Sequence, residues 1–213
     1  MKKQGSYQTL FNARILRGLL SLSAKGYFIQ TGWLLSYKKK QALALDNSPI
    51  PWLTYSFLDF LDGRLKANMR LFEYGAGNST LYFSKIVNFV RSIEHDKAWY
   101  EQVKASFAEN VHISLLPLTN QVYEKAILAE EGYFDIILID GRNRVACIKN
   151  AIQKLSPQGV IILDDSERTK YGEAFTFMHT EGFKQLPFSG IAIGAIHRKC
   201  TTVFYRSNNI LNI

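Results

Sequence analysis

Carboxylates close several apolar runs in this chain, and their neighbours decide what each could do. In FEYGAGNST (72–80), Glu73 ends a run, glycines follow at 75 and 77, and three small polar residues come next. Glycines so placed let the chain take φ > 0 and admit a ligand against bare backbone, while Asn78 or Ser79 could cap a following helix. A second run, VRSIEHD, ends on Glu94, 21 residues after Glu73. An acid there can accept hydrogen bonds from both hydroxyls of a ribose. A nicotinamide dinucleotide site would want a third glycine where Thr80 stands, and Glu73 would repel its pyrophosphate. A cationic ligand would instead be drawn to Glu73. Asp140 ends YFDIILID and Asp164-Asp165 ends GVIILDD; each could cap the helix after it.

These residues need a scaffold that brings strand ends together. At 213 residues and 47% hydrophobic content, the chain can bury one sizeable core. From residue 69, short apolar runs alternate with amphipathic stretches such as DKAWYEQVKASF and RVACIKNAIQKL, and the tail carries two strand-like runs around a Gly-containing break. Runs buried on both faces and alternating with helices predict a doubly wound α/β domain with a mostly parallel sheet, closed by a terminal hairpin. We assign it residues 66–213, with 1–65 as a helical extension.

Within that extension, Leu10, Phe11, Ile15, Leu19 and Leu22 recur at helical spacing over 7–24, and SPIPWLTYSFLDFLDG (48–63) reads as a second helix opened by its prolines. The first stripe suits packing on the domain or on a second subunit, with weak peripheral membrane contact as a further use. No run approaches about 20 apolar residues, so no transmembrane span is expected. Two cysteines, Cys147 and Cys200, make no disulfide framework or zinc spacing, which predicts a reduced, cytoplasmic chain. The +8 net charge favours anionic partners, but its clusters are short and lack the aromatic interleaving of RNA binders, so no nucleic-acid partner is expected.

FEYGAGN and IEHD together resemble the first two motifs of the class I S-adenosylmethionine-dependent methyltransferases, over about residues 69–206. The resemblance implies a Rossmann-like, seven-stranded sheet in the order 3-2-1-4-5-7-6 and S-adenosylmethionine as cofactor. Glu73, Gly75 and Gly77 would line its methionine end and Glu94 its ribose, with Asn78 and Asp140 completing the contacts. IDGRNRVAC (139–147) resembles a group of bacterial methyltransferase-like proteins, several linked to surface-glycan genes. O-methylation of a small-molecule, sugar or glycan-precursor hydroxyl is the activity this implies; a noncatalytic nucleotide-binding scaffold is the alternative.

Asp140, Asp164 and Asp165 also resemble the magnesium ligands of metal-dependent O-methyltransferases. If the implied strand order holds, they end neighbouring strands and could share one hard cation. That family places a lysine or histidine three residues after the first acid, where Asn143 stands here. Asp140 and His197 are therefore the catalytic candidates, with His95 as another base, and Arg142, Arg144, Arg198 and Lys199 could bind a phosphate or carboxylate on the substrate. The missing (Asp/Asn)-Pro-Pro motif after the fourth strand argues against amino methylation of nucleic-acid bases.

Overall fold

Strand runs with no polar face require cover on both sides, and here each obtains it. The computed structural model describes residue 7 and residues 11–213. Four helices come first: α1 (Ala13–Ala24), α2 (Tyr27–Gln30), α3 (Trp33–Lys39) and α4 (Tyr55–Leu61). Alternation follows, through β1 (Arg70–Tyr74), α5 (Asn78–Phe83), β2 (Phe89–Glu94), α6 (Lys97–Val103), β3 (Val111–Leu115) and α7 (Val122–Lys125). It continues with β4 (Phe134–Ile139), α8 (Arg144–Ala151), β5 (Leu155–Leu163), α9 (Gly172–Thr180), β6 (Lys184–Ile191) and β7 (Arg198–Tyr205). The strands form one seven-stranded sheet in the order β3-β2-β1-β4-β5-β7-β6. β1 to β5 pair in parallel, and β7 is antiparallel to both β5 and β6. This is the doubly wound α/β fold expected from the alternation.

Successive residues of a strand face opposite sides of the sheet. Phe72, Ile137, Ile161 and Leu163 accordingly meet Cys147, Ile148, Ala174 and Met178 of α8 and α9. Leu71, Ile136, Leu138, Val160 and Val203 meet Leu53, Phe57, Leu61 and Phe83 on the other face. The carboxyl ends of β1, β2, β4 and β5 share one edge, and the order reverses beside β1, where doubly wound sheets bind ligands.

The amino-terminal segment is tied to the terminal hairpin. Thr54 bridges to Ala192, its Oγ1 donates to the Phe188 carbonyl at 3.1 Å, and Trp33 Nε1 donates to the Ala195 carbonyl at 2.9 Å. The helix expected over 48–63 is only Tyr55–Leu61. Ser48 and Ile50 each precede a proline, which disfavours helical backbone there, and the stretch instead bridges Pro49 to Leu43. Of the stripe over 7–24, Leu10 lies outside the described residues; Asn12 caps α1 by accepting from Arg14 N and Ile15 N. Among the described residues no helix is long and apolar enough to cross a membrane.

Candidate functional site

The turn after β1 rests on a buried carboxylate. Glu73 has no exposed surface and accepts hydrogen bonds from Ser79 Oγ, Thr80 Oγ1 and Ser92 Oγ, the last at 2.8 Å. Thr80 Oγ1 in turn accepts from Gly77 N at 2.9 Å. Two expectations change. Glu73 does not line the ligand cavity; strand alternation points it beneath the turn, where three hydroxyls hold it. Neither Asn78 nor Ser79 caps α5: Asn78 Nδ2 donates to the Ala42 carbonyl at 2.7 Å, and Gly77 takes the N-cap position without a side-chain bond.

Burial pushes the Glu73 carboxyl from its ordinary 4.5 up to about 7, against the lowering effect of its hydroxyl donors. The folded chain therefore holds this proton more tightly than the unfolded chain. The associated stability is present below the ordinary value and is lost as pH rises through 7, a change of about 3 kcal/mol at 1.36 kcal/mol per unit. Glu73→Gln should flatten the pH dependence of urea unfolding across that window; an unaltered slope would mean that another group titrates there.

Only one of the two glycines needs its freedom. Gly75 has φ +97°, and a Cβ there would meet the Gly141 backbone at 3.2 Å. Gly77 has φ 167°, open to any residue; a Cβ there would sit 3.5 Å from the Trp99 ring. Trp99 Nε1 donates to the Ala76 carbonyl at 2.7 Å, fixing the indole over the turn.

Above this turn lies a cavity of about 700 Å³. Gly75, Gly77, Asn78, Glu94 and Asp140 all line it, with Trp99 on one wall and Gln41, Ala42 and Trp52 of the amino-terminal segment on another. Glu94 is only 4% exposed. Its Oε2 accepts from Ala76 N at 3.2 Å, and its Oε1 from His95 N and Asp96 N at 2.6 and 2.7 Å. Backbone donors thus pin this side chain at the rim of the glycine turn.

Asp140, Asp164 and Asp165 do converge, but on Arg144 rather than on a vacant metal position. The guanidinium Nη2 lies 2.9 Å from Asp140 Oδ1 and 3.5 Å from Asp165 Oδ2, and Nη1 lies 3.8 Å from Asp164 Oδ2. It also donates to the carbonyls of Asp140 and Gly141 at 2.9 and 3.0 Å. Arg168 pairs with Asp165 at 2.6 Å, and Lys199 pairs with it too. Three carboxylates thus face three cations, and among the described residues no group of His, Cys, Asp or Glu is arranged to hold a metal ion. The residues do not fit magnesium. Chelator or added magnesium should leave the melting temperature unchanged in thermal unfolding; a magnesium-dependent rise would reverse this reading.

Asp140 and Asp164 are both raised above the ordinary carboxylate range, chiefly by burial, with Arg144 opposing the rise. His197 is exposed in the turn between β6 and β7 and does not line the cavity, because the amino-terminal segment occupies the inner side of that hairpin. His95 does line it, with its Nδ1 2.9 Å from Glu94 Oε1. Arg198 donates through Nε to Ser189 Oγ at 2.5 Å and Lys199 pairs with Asp165, and neither lines the cavity. Sequence reasoning missed Trp99, Trp52 and Gln41-Ala42. Only Trp99 left a trace, three residues after Asp96, which caps its helix.

No protein-family model matches the chain, and no curated protein matches it. Solved structures do. A provisionally designated O-methyltransferase from Klebsiella pneumoniae superposes with TM-score 0.56 at 16% identity, over 93% of this chain and 98% of its own. The precorrin 8W decarboxylase of Methanobacterium thermoautotrophicum gives 0.54 at 15% identity, over 71% and 88%. A methyltransferase-like protein from Silicibacter pomeroyi gives 0.53 at 21% identity, over 74% and 89%. The chain has the class I methyltransferase fold.

Proposed function

We propose that this chain is an S-adenosylmethionine-dependent methyltransferase acting on a hydroxyl of a small molecule, such as a sugar or glycan precursor. One observation carries the reading. The glycine turn and a backbone-pinned Glu94 share a single cavity at the switch point of the sheet. Glu94 would hold the ribose, the Gly75–Gly77 backbone the methionine end, and Trp99 the side of the cavity. S-adenosylmethionine, when bound, supplies a methyl group on a positively charged sulfur. Glu73 lies beneath rather than beside that group, and its part is to hold the turn through the hydroxyls of Ser79, Thr80 and Ser92.

On this reading the chain's own task is to orient the acceptor and remove its proton. Asp140 lines the cavity, and its carboxyl is raised toward neutrality, the range in which a general base is effective. Arg144 fixes its orientation. Positioning then supplies most of the rate, since the transfer needs only in-line approach. No step passes through a metal.

Calorimetric titration with S-adenosylhomocysteine, followed by incubation of labelled cofactor with fractionated cell extract, tests the proposal. Absence of binding would end it. Binding without label transfer to any fraction would favour the noncatalytic alternative, which Asn143 supports: its amide is committed to Glu124 Oε1 and supplies no base.

A further inference from the structure

A second cavity, of about 810 Å³, adjoins the first and shares Gly141, Arg142, Arg144 and Arg168 with it. Six cations line it against one acid, Glu124. Arg144, Arg168 and Lys149 are paired with Asp140, Asp165 and Glu173. Lys125, Arg142 and Lys170 have no carboxylate within 4.0 Å among the described residues. Glu124 offers them little, being 5% exposed with its Oε1 held by Asn143. The first turn of α8 opens on the same space, and its N-cap, Asn143, makes no side-chain cap. Cations from three separate segments facing one chamber without counter-charge make an oxyanion site, and unfilled helix N–H groups favour a doubly charged occupant.

We infer that this chamber holds a phosphate on the methyl acceptor, so that the substrate is a phosphorylated small molecule. The inference rests on the cofactor reading of the first cavity, and the experiment separates the two. Inorganic pyrophosphate should bind the full chain in calorimetry at low salt, and Lys125→Gln/Lys170→Gln should weaken it about 10-fold or more while leaving S-adenosylhomocysteine affinity unchanged. Pyrophosphate that fails to bind, or binds the variant as tightly as the natural chain, would overturn the chamber's assignment. Loss of S-adenosylhomocysteine binding to the natural chain alone would overturn the cofactor reading and leave the pyrophosphate result standing.

An independent observation concerns the other end of the chain. Residues 1–45 hold eight of the 26 Lys and Arg and none of the 18 acids, so residues 46–213 balance at 18 against 18. The net charge that reads as scattered in the sequence belongs wholly to the amino-terminal segment. In that segment α1 has no buried residue, and Leu16, Leu19 and Leu20 are 42%, 44% and 61% exposed. Ala13, Leu16, Leu20 and Ala24 line a shallow groove rimmed by Arg17 and Lys25. An apolar stripe bordered by cations suits the interface of an anionic lipid bilayer, where the leucines enter the acyl boundary and the basic residues meet the headgroups. A second copy of the chain would bring like charge against like, and a nucleic acid would leave the leucines uncovered.

The geometry points to α1 lying on an anionic membrane surface. The full chain should pellet with vesicles containing phosphatidylglycerol and not with phosphatidylcholine alone. Leu16→Ser/Leu20→Ser and Arg14→Gln/Arg17→Gln should each lose that pelleting while binding S-adenosylhomocysteine normally. Pelleting untouched by both variants would overturn the assignment. So would an absence of pelleting, whether accompanied by concentration-dependent sedimentation or by duplex DNA binding.

Discussion

Glu94→Ala is expected to weaken S-adenosylhomocysteine binding by about 100-fold or more, the loss of two charge-assisted hydrogen bonds at roughly 1.5–3 kcal/mol each. The magnitude follows from how the acid is held. Three backbone N–H groups already fix the carboxylate, so a ribose meets it without the entropy loss of ordering a free side chain. Alanine also leaves the N–H groups of Ala76, His95 and Asp96 without their acceptor, which should lower the melting temperature. Calorimetry well below that temperature separates the two effects. A destabilised variant that binds with unchanged affinity would leave Glu94 as a loop anchor and reject its ribose role.

Gly141→Ala is expected to destabilise the chain by about 3 kcal/mol, the upper part of the range for overpacking a core. A Cβ at this position would fall 1.9 Å from Tyr123 Oη and 3.1 Å from the Tyr74 backbone. Tyr123 cannot retreat easily: it is fully buried, and its ring packs on Tyr74 at 5.4 Å. Among the described residues its hydroxyl finds no well-formed hydrogen-bond partner, so Tyr123→Phe alone should be neutral or stabilising. The two changes together should recover about half of the loss, a coupling that a double-mutant cycle in urea measures directly. Simple additivity would show that the clash lies with the Tyr74 backbone instead.

The parts of this molecule that follow local patterns could be read before any coordinates. MRLFEY, NFVRSIE and YFDIILID became β1, β2 and β4 because a buried strand needs an unbroken apolar run. Glu73 shows where that legibility ends. Both its neighbours, Phe72 and Tyr74, are as buried as it is, and a strand without alternation gives no sign of which way an acid points. Arg144, which the sequence offers as a ligand for a substrate anion, is instead spent on the acids, and its spacing of four residues from Asp140 already allowed that pair. Nothing in residues 39–42 or at Trp52 announced a cavity wall, because that wall exists only once Asn78 reaches Ala42 across 36 positions.

The placement of β7 between β5 and β6 sets a timetable for assembly on the ribosome. Strands β1 to β5 can pair as they emerge, but β5 keeps one edge bare until residues 198–205 arrive, since β6 does not pair with it. The amino-terminal helices wait as well, for the side chains of Thr54 and Trp33 find their hydrogen-bond partners only in the β6–β7 hairpin. A nascent chain halted before that hairpin exposes an unsheltered strand edge, the kind of surface on which aggregates start.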